Sequence, residues 1–301
     1  MEWTVSLKSA ITYMEEHLLE DISASEVAAA VHMSPFYLQK GFGIMTGYSI
    51  GEYIRCRRLY LAALDIRAGY DKIIDLAYKY GYDTPESFTK AFRRFHGVSP
   101  ARLKRDPTEI NTFLPLKITV QIQGGNEMDV TVEKMEGFQV IGFTRIFSFK
   151  DSYEKIPLFW DEFCRKYLRP LQEKGEPENE VEQVIRDCMV GEYALCVHDD
   201  TLDDGSFRYM IAGKYNGGAI PEGMEVTALP EAEWAKFCCT GPMPGALQAV
   251  NTKIFEEWLP GNPKYEIAME SNIEWYSEGN MSAPDYKSAI WIPVKEKVKE
   301  A

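Results

Sequence analysis

At 301 residues, with 45% hydrophobic and 26% charged positions, the chain is long enough for two ordinary domains with cores of their own. It holds no run of about 18 apolar residues, and its opening MEWTVSLKSA is neither basic nor apolar, so a membrane span and a signal peptide are not expected and a cytoplasmic protein is. The formal net charge of −13 is unevenly spread: residues 1–106 carry 14 Lys and Arg against 13 Asp and Glu, and the remainder 19 against 33, so only the first part suits phosphate.

From the N-terminus, Val5, Leu7, Ile11, Met14 and Leu18 recur at helical spacing, and a short helix is predicted near Ser25, whose side chain can cap it. A tight turn after Val31 leads to Pro35 at a first helical position, then to Leu38, Phe42 and Met45 on one face and Gly47 at the end. Short helix, turn and second helix form a helix-turn-helix unit. Residues 48–68 read as one helix of 21 residues, about 31 Å long at a rise of about 1.5 Å each. A second unit follows, with Ile73, Ile74, Leu76 and Ala77 on a helix, a turn at Tyr80–Tyr82, a cap at Asp83 or Thr84 before Pro85, and a helix turning Phe88, Phe92 and Phe95 inward. A rigid connector near the length of one B-DNA turn, about 34–36 Å, would set two recognition helices into successive major grooves. Between Ser87 and Arg105 lie Lys90, Arg93, Arg94, Arg102, Lys104 and Arg105 and no carboxylate.

These stretches carry a resemblance. "MSPFYLQKGF", "TGYSIGEYIRCRRLYLAALDI" and "IIDLAYKYGYDTPESFTKAFRRFHGVSPARLKR" make residues 5–105 similar to the DNA-binding domain of the AraC/XylS family of transcription regulators. The resemblance implies that Phe36, Gln39 and Lys40 of the first recognition helix and Pro85, Glu86 and Lys90 of the second meet base edges. Arg55, Arg93 and Arg94 would hold phosphate. Gln39 suits adenine, Lys40 and Lys90 guanine, Glu86 cytosine, and Phe36 a thymine methyl or a sugar. A solvated helix face is the alternative for Gln39, Lys40, Glu86 and Lys90, and packing inside for Phe36. Gly41 and Gly43 weaken the first helix by about 0.5–1 kcal/mol each relative to Ala. Promoter DNA is the implied partner, with RNA polymerase expected from the family.

Residues 108–126 read as a linker and a strand, with Leu116, Ile118, Val120 and Ile122 alternating before a Gly124-Gly125 turn. They separate an all-α domain, residues 1–107, from an α+β domain, residues 127–301. In the latter, strand-like segments surround two helical ones. Met128 and Met224 lie 96 residues apart, and Trp160 and Phe255 95 apart, which suggests a duplicated unit of two strands, a helix and two strands with a ligand groove between copies. The six cysteines form no C-x-x-C pair and the four histidines are scattered, so buried reduced thiols are expected, and no metal site or cofactor.

"FRYMIAGKYNGGAIPEGMEVTALPEAEWAKFCCTGP" and "YEIAMESNIEWYSEGNMSAPDYKSAIWIPV" make residues 127–295 similar to the GyrI-like, Rob-type effector-binding domain. The resemblance implies an aromatic-walled pocket with an acidic residue in the penultimate strand, placed here at Glu266. A carboxylate among rings attracts an organic cation by charge and cation–π contact. Trp160, Tyr193, Tyr209, Trp234 and Trp291 are the candidate walls, each alternatively core; Glu266 fits a solvated sheet face as well, and Trp275 a surface loop. The expected function is a ligand-responsive transcription regulator, an activator by family expectation, binding a small cationic or aromatic effector. A small-molecule sequestering protein, or a hydrolase with Glu266 as general base, is the alternative. The chain has no G-x-S-x-G, no H-E-x-x-H and no evident nucleophile–base pair, so no enzymatic activity is expected.

Overall fold

The computed structural model describes residues 3–69, 72–106, 109–118, 128–199, 201–202 and 205–297, and the chain divides into two compact units, Met1–Ile122 and Gln123–Ala301. Regular structure in the first unit is entirely helical among the described residues. Helix α1 (Trp3–Glu16) buries Trp3, Leu7, Ala10, Ile11 and Met14. Val5 is exposed instead, because the inward stripe begins at Trp3. Helix α2 (Ala24–Ala30) is capped by Ser23 rather than Ser25, in a capping box: Ser23 Oγ accepts from the Glu26 backbone N–H at 3.2 Å, and the Glu26 carboxylate accepts from the Ser23 N–H at 2.8 Å.

Helix α3 (Pro35–Thr46) starts on the Ser34 cap, runs unbroken through Gly41 and Gly43, and stops at Gly47, whose φ of 73° is open to glycine. Helix α4 (Ile50–Arg67) begins only after a second capping box at Ser49 and Glu52, so the connector has 18 residues rather than 21, about 27 Å in length. Helices α5 (Ile73–Lys79), α6 (Pro85–His96) and α7 (Pro100–Arg105) complete the unit. Helix α4 feeds two cores. Tyr53 and Ile54 join Leu7, Met14, Val27, Leu38 and Phe42, and Leu59, Ala62 and Ile66 join Leu76, Phe88, Phe92 and Leu103.

Residues 109–118 form neither helix nor strand, which corrects the strand expected at Leu116 and Ile118; Val120, Ile122, Gly124 and Gly125 lie outside the described residues. The segment is a strap laid on both cores. Phe113 meets Tyr48 and Phe95 edge-on, with ring centroids 5.2 and 6.1 Å apart. Leu116 and Ile118 pack on the first core and Ile110 on the second. Arg57, itself buried, grips Glu15 through Nε and Nη2 at 2.8 Å and donates from Nη1 to the Phe113 carbonyl. Side-chain burial and these hydrogen bonds leave no reason for a sheet.

The second unit is α+β. Its strands are β1 (Val130–Met135), β2 (Phe138–Ser148), β3 (Tyr193–Val197), β4 (Ser206–Tyr215), β5 (Glu225–Leu229), β6 (Ala232–Thr240), β7 (Tyr265–Ile267), β8 (Ser271–Tyr276) and β9 (Lys287–Glu296). They make one antiparallel sheet in the order β1-β6-β9-β8-β3-β4-β2-β5, with β7 paired to β9. Between β2 and β3 come α8 (Ser152–Phe163), α9 (Arg169–Lys174) and α10 (Glu180–Asp187); between β6 and β7 come α11 (Gly245–Lys253) and α12 (Leu259–Gly261). Helix α8 packs on β2, and α11 on β6 and β9. A π-helical turn joins α8 to α9 at Cys164–Leu168 and α11 to α12 at Ile254–Trp258. Each precedes a proline, Pro170 or Pro260, and widening the turn relieves the clash of the ring with the carbonyl four residues back.

At Gly142 a Cβ would stand 1.9 Å from the Ile211 carbonyl oxygen, so only glycine lets β2 lie against β4 there. Of the cysteines expected to be buried, Cys196 and Cys239 are, Cys56, Cys164 and Cys188 are half-buried, and Cys238 is exposed because its side chain leaves the sheet on the face opposite Cys239.

Candidate functional site

Each unit carries a surface or cluster able to do chemistry. In the first it is α6. Thr84 caps the helix by accepting the Ser87 N–H, Pro85 opens it, and Gly97 closes it in the left-handed region. Phe88, Phe92 and His96, four residues apart, are buried in a row, with ring centroids 5.5 and 4.4 Å apart. That anchors the helix by one face and turns the other outward. Pro85, Glu86, Thr89, Lys90, Arg93 and Arg94 line a groove of about 700 Å³ on that outward face. It holds three cations and one carboxylate. Arg55, on α4, is exposed and pairs with Glu52 at 3.4 Å.

The first recognition helix differs. Phe36, Gln39 and Lys40 are all buried, which corrects the expectation that they stand out toward base edges. Phe36 meets Tyr37 edge-on at 5.0 Å and lies under Lys40, whose Nζ is 5.8 Å from the ring centroid. Removing an aromatic ring from water is worth about 1.5–3 kcal/mol, and this outweighs the simple pattern in which only Leu38, Phe42 and Met45 face inward.

In the second unit the site is built on the helix-bearing face of the sheet. Alternation along β8 puts Asn272, Glu274 and Tyr276 on one side, and the register sets Glu274 beside Ala194 of β3 and Cys196 beside Tyr209 of β4. Glu274 is buried. Its Oε2 accepts the hydroxyl protons of Tyr209 at 2.6 Å and Tyr276 at 2.8 Å. From α8, Trp160 Nε1 donates to the Tyr209 oxygen at 2.8 Å and its ring meets Tyr276 edge-on at 4.8 Å. Phe147 and Phe159 pack against Tyr209. Burial and then the Glu274 charge hold both tyrosines well above the usual phenol range, so they stay protonated donors. A carboxylate held by two phenol hydroxyls, with Trp160 against both of those tyrosines, is chemistry suited to an organic cation.

Residues 131–294 match the family model of the integron-associated effector-binding proteins. The chain belongs to that family. Residues 27–106 match a helix-turn-helix domain model, so here the effector-binding unit is joined to an AraC-type DNA-binding unit. Over 101 residues the chain is 36% identical to the right origin-binding protein of Escherichia coli strain K12, a match covering 34% of this chain and 35% of that protein. Over 111 residues it is 31% identical to the HTH-type transcriptional activator AarP of Providencia stuartii, covering 37% of this chain and 82% of AarP. The second unit is similar in structure to an integron cassette protein from the mobile metagenome of Vibrio cholerae, with a TM-score of 0.40 and 16% identity over 55% of this chain and 95% of that one.

Within this effector-binding unit the residues chosen from sequence divide. Trp160 and Tyr209 belong to the Glu274 cluster. Tyr193, Trp234 and Trp291 do not: each lies one residue out of step with the cluster and so on the opposite face, with Leu195, Met210 and Ile273. There Tyr193 meets Trp291 edge-on at 5.9 Å and Lys236 Nζ sits 4.4 Å from the Trp291 ring. Trp275 is in β8, not a loop, and its Nε1 donates to Glu192 at 3.2 Å. Glu266 is corrected as the buried carboxylate. It lies on the three-residue β7, half exposed, and pairs across the strand with Lys295 at 3.2 Å. The penultimate strand is β8, and its acid is Glu274. Two neighbouring stretches, "YEIAM" and "SNIEWY", each alternate around a glutamate, and alternation ranks neither as the inner strand; the second also puts a tyrosine on the acid's face, which was the available signal.

Proposed function

We propose that this protein is a DNA-binding transcription regulator whose effector-binding unit takes up a small organic cation at Glu274. The DNA reading is carried by the outward face of α6. Lys90, beside Glu86 and Thr89, is the candidate base contact, and Arg93, Arg94 and Arg55 are the phosphate contacts that fix register. Phe36, Gln39 and Lys40 take a secondary part, since they are buried. The right origin-binding protein and AarP are relatives over this unit, which supports DNA as the partner, and an activating contact with RNA polymerase extends the same family reading.

The effector reading is carried by the buried Glu274 and its tyrosine donors. We also read the effector-binding unit as a duplication. Exchanging β1, β2, β3 and β4 for β5, β6, β8 and β9 reverses the sheet order onto itself, and this supports two copies meeting at the β3–β8 pair.

The test is a selection of the full-length protein against random duplex DNA at about 0.15 M salt, a concentration at which nonspecific phosphate binding is weakened. An enriched motif, lost in Lys90→Ala, supports the regulator; uniform, salt-sensitive binding with no motif removes it.

A further inference from the structure

Arg57 and Arg58 are the eighth and ninth of the 18 residues of α4, and they fall between the two cores that this helix feeds. Tyr53 and Ile54 lie in the first core, and Leu59, Ala62 and Ile66 in the second. Arg57 is 5% exposed. Its guanidinium donates to both oxygens of Glu15, on α1, at 2.8 Å, and to the Phe113 carbonyl of the strap. Tyr53, one turn before Arg57, closes a ring of bonds. Its hydroxyl donates to Glu15 Oε1 at 2.6 Å and accepts the Leu116 N–H of the strap at 3.4 Å. Nearer its start the strap reaches α6, where Asn111 Nδ2 donates to the Phe95 carbonyl.

Arg58 makes a second bridge. Its Nε donates to the Leu18 carbonyl at 2.6 Å and its Nη2 to the Glu20 carbonyl, both between α1 and α2. Gly81, in the turn between α5 and α6, lies against the same guanidinium: a Cβ there would stand 2.7 Å from Nη1. Each arginine therefore holds the first core with one edge and meets the second core, or the strap laid on it, with another. An apolar side chain of similar volume would stabilise the seam as well, because taking a guanidinium out of water costs about what its ion pair returns. What the guanidinium adds is geometry, since its N–H groups diverge in one plane and fix where their acceptors lie.

Resting on the reading of this unit as a DNA-binding one, we propose that Arg57 and Arg58 are positioning residues that set the spacing at which the chain accepts the two parts of its DNA site. They act by fixing the angle between the two helix-turn-helix units, of which the second supplies the main contact through α6 and the first the secondary one. Each added base pair carries one part of the site about 3.4 Å along the duplex and about a tenth of a turn around it. A locked pair of units cannot follow that displacement, whereas a hinged pair can.

The experiment starts from the two-part motif that full-length protein enriches from random duplex DNA. Affinities at about 0.15 M salt are measured for that duplex and for copies with one base pair added or removed between its parts. Wild type is expected to lose about tenfold or more on either change, the scale of a lost base contact. In the double variant Glu15→Gln, Arg57→Met, which leaves neither charge without its partner, the parent duplex should bind more weakly and the spacing penalty should largely vanish. Arg58→Met should do the same. It keeps the test open if the double variant does not fold, because water reaches the exposed Glu20 carbonyl that it releases. A loss of stability alone would weaken every duplex by one factor and leave the penalty at its wild-type size, and that result overturns the proposal. A wild type that binds all spacings alike, or an enriched motif with a single part, also overturns it and leaves the regulator standing. The absence of any motif removes both readings.

Discussion

The Tyr209 hydroxyl, on β4, reaches past β3 to donate to Glu274 Oε2 on β8 at 2.6 Å. Two strands that are not neighbours are thereby tied through a buried carboxylate on the helix-bearing face of the sheet. Trp160 adds a third element, since its indole N–H ends on the same tyrosine oxygen.

In the proposed site the charge of Glu274 attracts the cation, whereas that of Glu266 is already answered by Lys295. Glu274→Gln is expected to lower the affinity for an aromatic cation by tenfold or more, about 1.4 kcal/mol. Glu266→Gln should leave it within about twofold, the scale of a weak exposed pair. Quenching of tryptophan fluorescence by a cationic dye measures both.

Tyr209→Phe removes an acceptor from Trp160 and a donor from Glu274 in a fully buried place. The loss of stability should be about 1–3 kcal/mol, the cost of orphaned buried groups. Tyr276→Phe, whose hydroxyl is not the acceptor for Trp160, should cost less. Thermal melts of the two variants give the comparison.

Lys90→Ala should weaken specific DNA binding by about 1–3 kcal/mol if it reads a base. Arg93→Ala and Arg94→Ala should weaken all duplexes alike and flatten the salt dependence. Lys40→Ala, at a buried position, should matter less than Lys90→Ala. Affinity measured on an enriched site and on a scrambled one, across salt, separates these outcomes.

His96 gives the DNA-binding unit a pH dependence. Burial pushes its imidazole below the usual range, even though Nε2 bonds the Leu59 carbonyl at 3.0 Å. The folded state thus takes up a proton less readily than the unfolded one. Its contribution is full above the ordinary histidine pKa, near 6.5, and is lost as pH falls below that value. Melting of wild type should drop between pH 7.5 and 5.5 more than that of His96→Phe, and an identical drop in both would refute the assignment.

Phe113→Ala removes the ring that touches Tyr48 and Phe95. Because that ring rests on both cores of the helical unit, its loss should lower stability by about 1–3 kcal/mol. It should also weaken binding to a two-part DNA site more than to either half alone. Melting curves and half-site titrations check the two consequences.

The helices were legible because their signals are local. Pro35 and Pro85 at helix starts, Gly47 and Gly97 at ends, and the Phe88–Phe92 stripe each act within one or two turns. Even so, Ser23 displaced Ser25 as a cap, since only Ser23 finds Glu26 at the reciprocal position. The outward placing of Phe36 comes from the family resemblance, and the structure buries its ring instead.

What the sequence determined by itself is the pair of units, the two helix-turn-helix motifs, the basic stretch from Lys90 to Arg105, and the aromatic, acidic character of the second half. Tertiary structure alone decided which acid is buried and which rings share its face. A strand has two faces with a period of two, so alternation places Glu266 and Glu274 equally well, and Tyr193 and Tyr209 alike. Only strand order, which makes β7 an edge and β8 an inner strand, puts Glu274 under two hydroxyls and leaves Glu266 in water beside Lys295.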